Sequence, residues 1–198
     1  DNSSSSFNSV SAVDEDNNTP LHLACAEEDN LETVTILLQK AEDTNSLVNA
    51  VNENQQTPIH LAAKKGKNNV LKLLLDNSSP IYNSVSAVDK NKNTSLHLAI
   101  DGDGDIDTVR VLLQKSGINV RSLVNFANKD QETPIQLEVK SGRNNISTFM
   151  KKLDTLEENG VSIDFLVDPS DLPFLIFYND FKEIDRILQV SNTIKIIF

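Results

Sequence analysis

One six-residue phrase occurs four times in this chain of 198 residues. It reads Thr19-Pro20-Leu21-His22-Leu23-Ala24, Thr57-Pro58-Ile59-His60-Leu61-Ala62, Thr94-Ser95-Leu96-His97-Leu98-Ala99 and Thr133-Pro134-Ile135-Gln136-Leu137-Glu138. Successive threonines are 38, 37 and 39 residues apart. Self-similarity at a fixed period of this size predicts stacked supersecondary units rather than one closed core.

Each phrase reads as a helix start. A threonine hydroxyl accepts from a free N–H there, worth about 1 kcal/mol over alanine. Proline suits the next position, where its missing N–H costs nothing. Thr94-Ser95 opens its helix without the proline. Apolar residues follow at helical spacing, as in Leu21, Ala24, Cys25 and Ile59, Ala62, Ala63. A second helix is expected after a short turn in every copy. Its apolar runs are Val34, Ile36, Leu37, Leu38; then Val70, Leu71, Leu73, Leu74, Leu75; then Val109, Val111, Leu112, Leu113; and a weaker Ile146, Phe149, Met150, Leu153. Gly66 and Gly142 fall where the first helix should end. Such a helix pair buries too little apolar surface to fold alone, so stacking must supply the rest. Leucine-to-alanine changes in these runs are expected to cost about 2–5 kcal/mol.

The copies alternate between two kinds. Asn8 to Asp14 recurs identically as Asn83 to Asp89, and Leu47-Val48-Asn49 recurs as Leu123-Val124-Asn125. Copies one and three share an extra residue in the inter-helix turn, at Glu27 to Asn30 and Gly102 to Asp105. Duplication of a two-repeat unit accounts for this.

The phrase resembles the ankyrin repeat, over most of the chain. The resemblance implies a predominantly α solenoid of helix-turn-helix units with β-turn fingers. It gives one domain over 1–198: a remnant of a preceding repeat at 1–13, repeats at 14–51, 52–88, 89–127 and 128–166, and a divergent C-terminal repeat at 167–198. The ankyrin period is about 33 residues, and the surplus here gathers at Ala41 to Ser46, Asn77 to Asn83 and Ser116 to Ser122. Two readings are open: a longer second helix, or a row of enlarged loops that contact a partner. Asp1-Asn2-Ser3-Ser4 matches Asp76-Asn77-Ser78-Ser79. The chain is therefore expected to be a segment of a longer array. Asp171 to Ile176 and Phe181 to Leu188 echo the two helices of a fifth repeat, and Thr193 to Phe198 is too apolar for a polar cap.

Composition narrows the function. There is no apolar run long enough to span a membrane. The net charge of −11 disfavours nucleic acid, since phosphate binding needs a basic surface. A single cysteine, Cys25, permits no internal disulfide and fits a reducing, cytoplasmic compartment. Abundant asparagine fits a low-GC coding sequence, as in an intracellular bacterium or a protist, or selection for polar loops.

No catalytic, cofactor or metal site is expected. His22, His60 and His97 occupy one repeat position, where the resemblance implies a structural hydrogen-bond partner. Cys25 aligns with Ala63, Ile100 and Val139, which read as core positions. Asp101-Gly102-Asp103-Gly104-Asp105-Ile106-Asp107 has alternating aspartates, but Ile106 and Leu112 stand where a calcium loop needs glycine and a carboxylate. It reads as a solvated acidic turn. Asn49 and Asn125 lie near a finger position where some family members carry a hydroxylated asparagine; a side-chain bond within the turn is the alternative.

Ankyrin partners usually dock on the concave side, formed by finger tips and first-helix faces. Carried over by position, that side comprises Glu15, Asp16, Asn18, Ala26 and Glu27 from copy one; Glu53, Asn54, Gln56, Lys64 and Lys65 from copy two; Lys90, Asn91, Asn93 and Asp101 from copy three; and Lys129, Asp130, Glu132 and Lys140 from copy four. The usual finger glycine is replaced by Asn17, Gln55, Lys92 and Gln131, so altered finger turns are expected. Phe7, Tyr82 and Phe126 are the aromatic residues beside the fingers. The expected function is a non-catalytic protein-binding module, part of a larger bacterial effector delivered into a host cell to engage a host protein. Alternatives are the targeting region of an enzyme or toxin whose catalytic domain lies elsewhere, and a self-associating structural array. A monomer is expected, with no nucleic-acid or membrane partner.

Overall fold

A computed structural model of the chain describes residues 9–27, 31–78, 84–115 and 120–143. Every threonine phrase opens a short helix: α1 (Pro20–Ala26), α4 (Pro58–Lys64), α6 (Ser95–Asp101) and α9 (Pro134–Lys140). Second helices follow as α2 (Leu31–Lys40), α5 (Asn68–Asp76) and α7 (Ile106–Lys115). Gly66 and Gly142 take φ of 64° and 72°. Each completes a Schellman cap: Gly66 N–H donates to Ala63 and Lys67 N–H to Ala62, with Gly142 and Arg143 repeating the pattern on Val139 and Glu138. The turns of copies one and three are one residue longer than that of copy two, as read from the sequence.

Where they are described, in copies one and three, the surplus residues run into a third short helix, α3 (Thr44–Val48) and α8 (Val120–Asn125). A 3-10 turn at Ser84–Ser86 follows the surplus of copy two. Asp43 starts α3 by accepting from the Ser46 N–H at 3.0 Å. Leu47, Val48, Leu123 and Val124 are buried, as is Val85. Val10, in an equivalent 3-10 turn at Ser9–Ser11, is also buried. Among the described residues these segments thus add a third anchor to the core in copies one and three. The recurring Leu-Val-Asn triplet is its sequence trace.

The units stack by like elements: α4 packs between α1 and α6, α6 against α9, and α5 between α2 and α7. Leu21, Ile59, Leu71, Leu74, Leu96, Leu112 and Leu113 are fully buried in one continuous apolar core. Among the described residues there is no strand; a single antiparallel bridge joins Val88 and Thr94. Ile36 is 43% exposed, on the outer side of α2, although it belongs to the apolar run. Val139 departs from the expected core position at 63% exposed, while Glu138 is buried. Among the described residues α9 is packed by α6 and α8, and the face so covered carries Pro134 and Glu138. The second helix of copy four, the fifth repeat and residues 1–8, Phe7 included, lie outside the described residues. So do 28–30, 79–83 with Tyr82, and 116–119.

Candidate functional site

The fingers are built from one repeated device. Asp14, Asn52, Asp89 and Asn128 each accept two N–H groups on Oδ1, from the residues two and four positions on, at 2.8–3.0 Å. The same four residues donate their own N–H to the carbonyls of Asn18, Gln56, Asn93 and Glu132. This closes a tight turn whose fourth residue must be left-handed. Asn17, Gln55, Lys92 and Gln131 take φ of 60°, 56°, 59° and 61°. The expected alteration of the finger turns does not occur. Each turn is over-determined by its four bonds, so the cost of a side chain at positive φ is absorbed.

Neighbouring fingers are tied tip to tip. Glu53 N–H donates to the carbonyl of Asp16, Lys90 to Asn54 and Lys129 to Asn91, at 2.8–2.9 Å. Side chains add a relay in two places. Asn18 donates to Asp14 and accepts from Asn52 at 2.9 Å; Asn93 donates to Asp89 and accepts from Asn128 at 3.0 Å. The alternation of Asp and Asn at the finger start is therefore chemical. Asp14 and Asp89 accept from Asn18 and Asn93 of their own fingers, and Asn52 and Asn128 of the next fingers donate to those same Asn18 and Asn93 side chains.

Behind the fingers, His22 and His97 each join two repeats, and His60 ties its helix to the segment that leads into the next finger. Nδ1 of His22, His60 and His97 accepts the N–H of Thr19, Thr57 and Thr94 at 3.1–3.2 Å. The proton is thereby assigned to Nε2, which donates to the carbonyls of Gln56 at 2.9 Å, Ala87 at 3.1 Å and Glu132 at 3.2 Å. Burial lowers the pKa of all three, that of His97 to about 4. Gln136 keeps the first half of the device, its Oε1 accepting from Thr133 at 2.8 Å. These side chains are neutral struts, too widely separated along the stack to form a common centre.

Cys25 is buried, and burial pushes its thiol up to about 12, which removes it as a nucleophile. Three of the four aspartates of the copy-three turn have partners within the fold. Asp103 pairs with Lys65 at 3.7 Å, Asp105 accepts from the Thr108 N–H at 2.8 Å to start α7, and Asp107 pairs with Arg110. The glycines between them are set by close packing, since a Cβ on Gly102 would sit 2.3 Å from the carbonyl of Lys64. Among the described residues no group of three or more His, Cys, Asp or Glu could hold a metal. The Asn49 amide donates to the Asn45 carbonyl, and its Oδ1 accepts from Ser84 at 2.8 Å.

The candidate contact residues divide accordingly. Asn18, Gln56, Asn93 and Glu132 are half-buried. Asn18 and Asn93 are held in the relay, and Glu132 is paired with Lys140. Glu15, Asp16, Glu27, Glu53, Asn54, Lys64, Lys65, Lys90, Asn91, Asp101, Lys129, Asp130 and Lys140 are exposed. Of these, Lys65 and Lys140 are in ion pairs. Phe126 is 40% exposed and sets its ring edge-on to His97, centroids 6.5 Å apart. The sequence did not reveal the relay or the third helix. The Asp/Asn alternation was visible, but its meaning needs the spatial adjacency of fingers.

Two family models match the chain. One, described as ankyrin repeats in three copies, covers residues 45–123, and one described as a single ankyrin repeat covers 16–53. No curated protein matches it. Among the described residues no helix is long and apolar enough to cross a membrane. With repeats matched from residue 16 to residue 123 and like elements stacked in register, the chain belongs to the ankyrin-repeat family, whose repeats are in general protein-interaction modules and typically non-catalytic.

Proposed function

We propose that this chain binds one shaped protein partner on the side formed by its finger tips and first helices. The observation that carries the reading is the tip-to-tip bonding of the fingers. It fixes a row of exposed side chains that the fold does not use: Glu15, Asp16, Glu53, Asn54, Lys90, Asn91, Lys129 and Asp130. Preorganisation of this kind reduces the entropy lost on binding. The charges run from acidic in finger one to mixed in fingers three and four, with Lys64 and Lys65 on α4, a mosaic suited to a protein rather than a polyanion. The parent protein, on this reading, is a larger bacterial effector that engages a host protein in the host cytoplasm. The asparagine-rich composition supports that origin.

The test is affinity capture from cell lysate, then binding to the double variant Lys64→Glu, Lys65→Glu. Lys64 makes no side-chain bond, and the Lys65–Asp103 pair is exposed and worth about 1 kcal/mol or less. The variant should therefore fold normally by circular dichroism and lose affinity. Unchanged affinity would remove the first-helix face from the site.

A further inference from the structure

On the reading of this chain as a protein-binding module, the structure carries a second surface. An open groove of about 420 Å³ lies between finger one and the third helix of its own repeat. Its lining is mixed: Val13, Val51, Ala41 and Leu47 give it an apolar side, and Ser11, Asn17, Thr19 and Ser46 a polar one. Val13 and Val51 are 56% and 55% exposed and line the same groove. Glu42 and Asp43 also line it. Asp43 uses Oδ1 to cap α3, and among the described residues neither carboxylate is in an ion pair. The groove thus joins an unpartnered apolar slot to uncompensated negative charge.

The wider field points the same way. Residues 1–63 hold eleven of the chain's 29 carboxylates and one of its 18 lysines and arginines, Lys40. Nearly the whole net charge of −11 thus falls in the third of the chain that builds this groove. Such a field concentrates cations at the surface and repels a second copy of the chain. At about 420 Å³ the groove has room for more than one side chain of an extended segment. We infer that it receives an extended basic segment of a protein partner, seating an aliphatic side chain between Val13 and Val51 with flanking lysine or arginine beside Glu42 and Asp43. This surface is distinct from the first-helix face, since neither Lys64 nor Lys65 lines it.

The probe is a fluorescein-labelled peptide of two leucines flanked on each side by three lysines, read by anisotropy at low salt. The protein should bind it, and the version with both leucines replaced by glycine should bind about tenfold more weakly. Val13→Ser with Val51→Ser should also weaken it about tenfold without changing circular dichroism, because both residues are already exposed. Glu42→Gln with Asp43→Asn, which leaves α3 a capping residue, should weaken binding and flatten its salt dependence. Lys64→Glu with Lys65→Glu should not weaken it, so loss of the first-helix site and loss of this one are separable. Equal binding of the glycine peptide would reduce the effect to charge alone and overturn the inference. So would groove variants that bind as the parent does, or sedimentation showing a dimer that Val51→Ser dissolves.

Discussion

Protonation of the buried histidines should loosen the stack as the pH falls below about 6.5. His97 is about 1% exposed, and a proton on its Nδ1 would break the bond from the Thr94 N–H and leave only the Thr94 hydroxyl, 2.8 Å away, to accept it. In an unfolded chain the group titrates near 6.5; in the folded protein it titrates at about 4. The unfolded state therefore binds more protons between these values. The stability due to neutral His97 is complete above about pH 6.5 and is lost as pH falls toward 4. Each pH step in that window costs about 1.4 kcal/mol, which gives about 2 kcal/mol by pH 5 and about 3 by pH 4. His22 and His60 shift in the same direction and add to the loss; Asp14 and Asp89 nearby partly offset it. Lower pH also relieves the repulsion of an acidic chain, which acts oppositely. The measurement must therefore be a difference. Urea unfolding of the parent and of His97→Gln, at about pH 7.5 and about pH 5, cancels the common charge term. Glutamine already serves this position at Gln136. The parent should lose about 2 kcal/mol more than the variant on acidification. Parallel losses, or an NMR titration placing His97 near 6.5, would refute the assignment of Nε2 as the sole protonated nitrogen of a buried strut.

Three further changes follow from local geometry. Ser95 stands where the other phrases have proline, and its buried hydroxyl has no hydrogen-bond partner; Thr94 before it is already extended, at φ −80° and ψ 168°. Ser95→Pro should raise stability by about 1 kcal/mol in urea unfolding. Gly102→Ala should lower it by about 1–3 kcal/mol, because the new Cβ would sit 2.3 Å from the Lys64 carbonyl of the preceding repeat. Lys92→Gly relieves a left-handed backbone at φ 59° and should raise the thermal midpoint, by about 0.5–1 kcal/mol of stability.

The sequence made the fold legible because the phrase encodes local chemistry: cap, proline and an acceptor at the third helical position all act within one turn of helix. It was silent wherever one repeat meets the next. Asn18 and Asn52 are 34 residues apart in the chain and 2.9 Å apart in space, and only the stacking register brings them together. The same holds for the groove. Val13 and Val51 are the same position of successive fingers, and a valine before a finger reads equally well as core or surface. One core candidate departs for a related reason: Val139 repeats the letter class of Cys25 but is 63% exposed where Cys25 is buried. Burial in a solenoid is a property of the interface between units, and periodicity describes the unit alone. The binding surface shares that origin. Side chains that the stack consumes, such as Asn18 and Asn93, and side chains that it leaves free, such as Asn54 and Asn91, are chemically identical and four or fewer positions apart within their fingers. What separates them is whether the adjacent finger supplies a partner, so a contact site in this family has to be read from pairs of repeats.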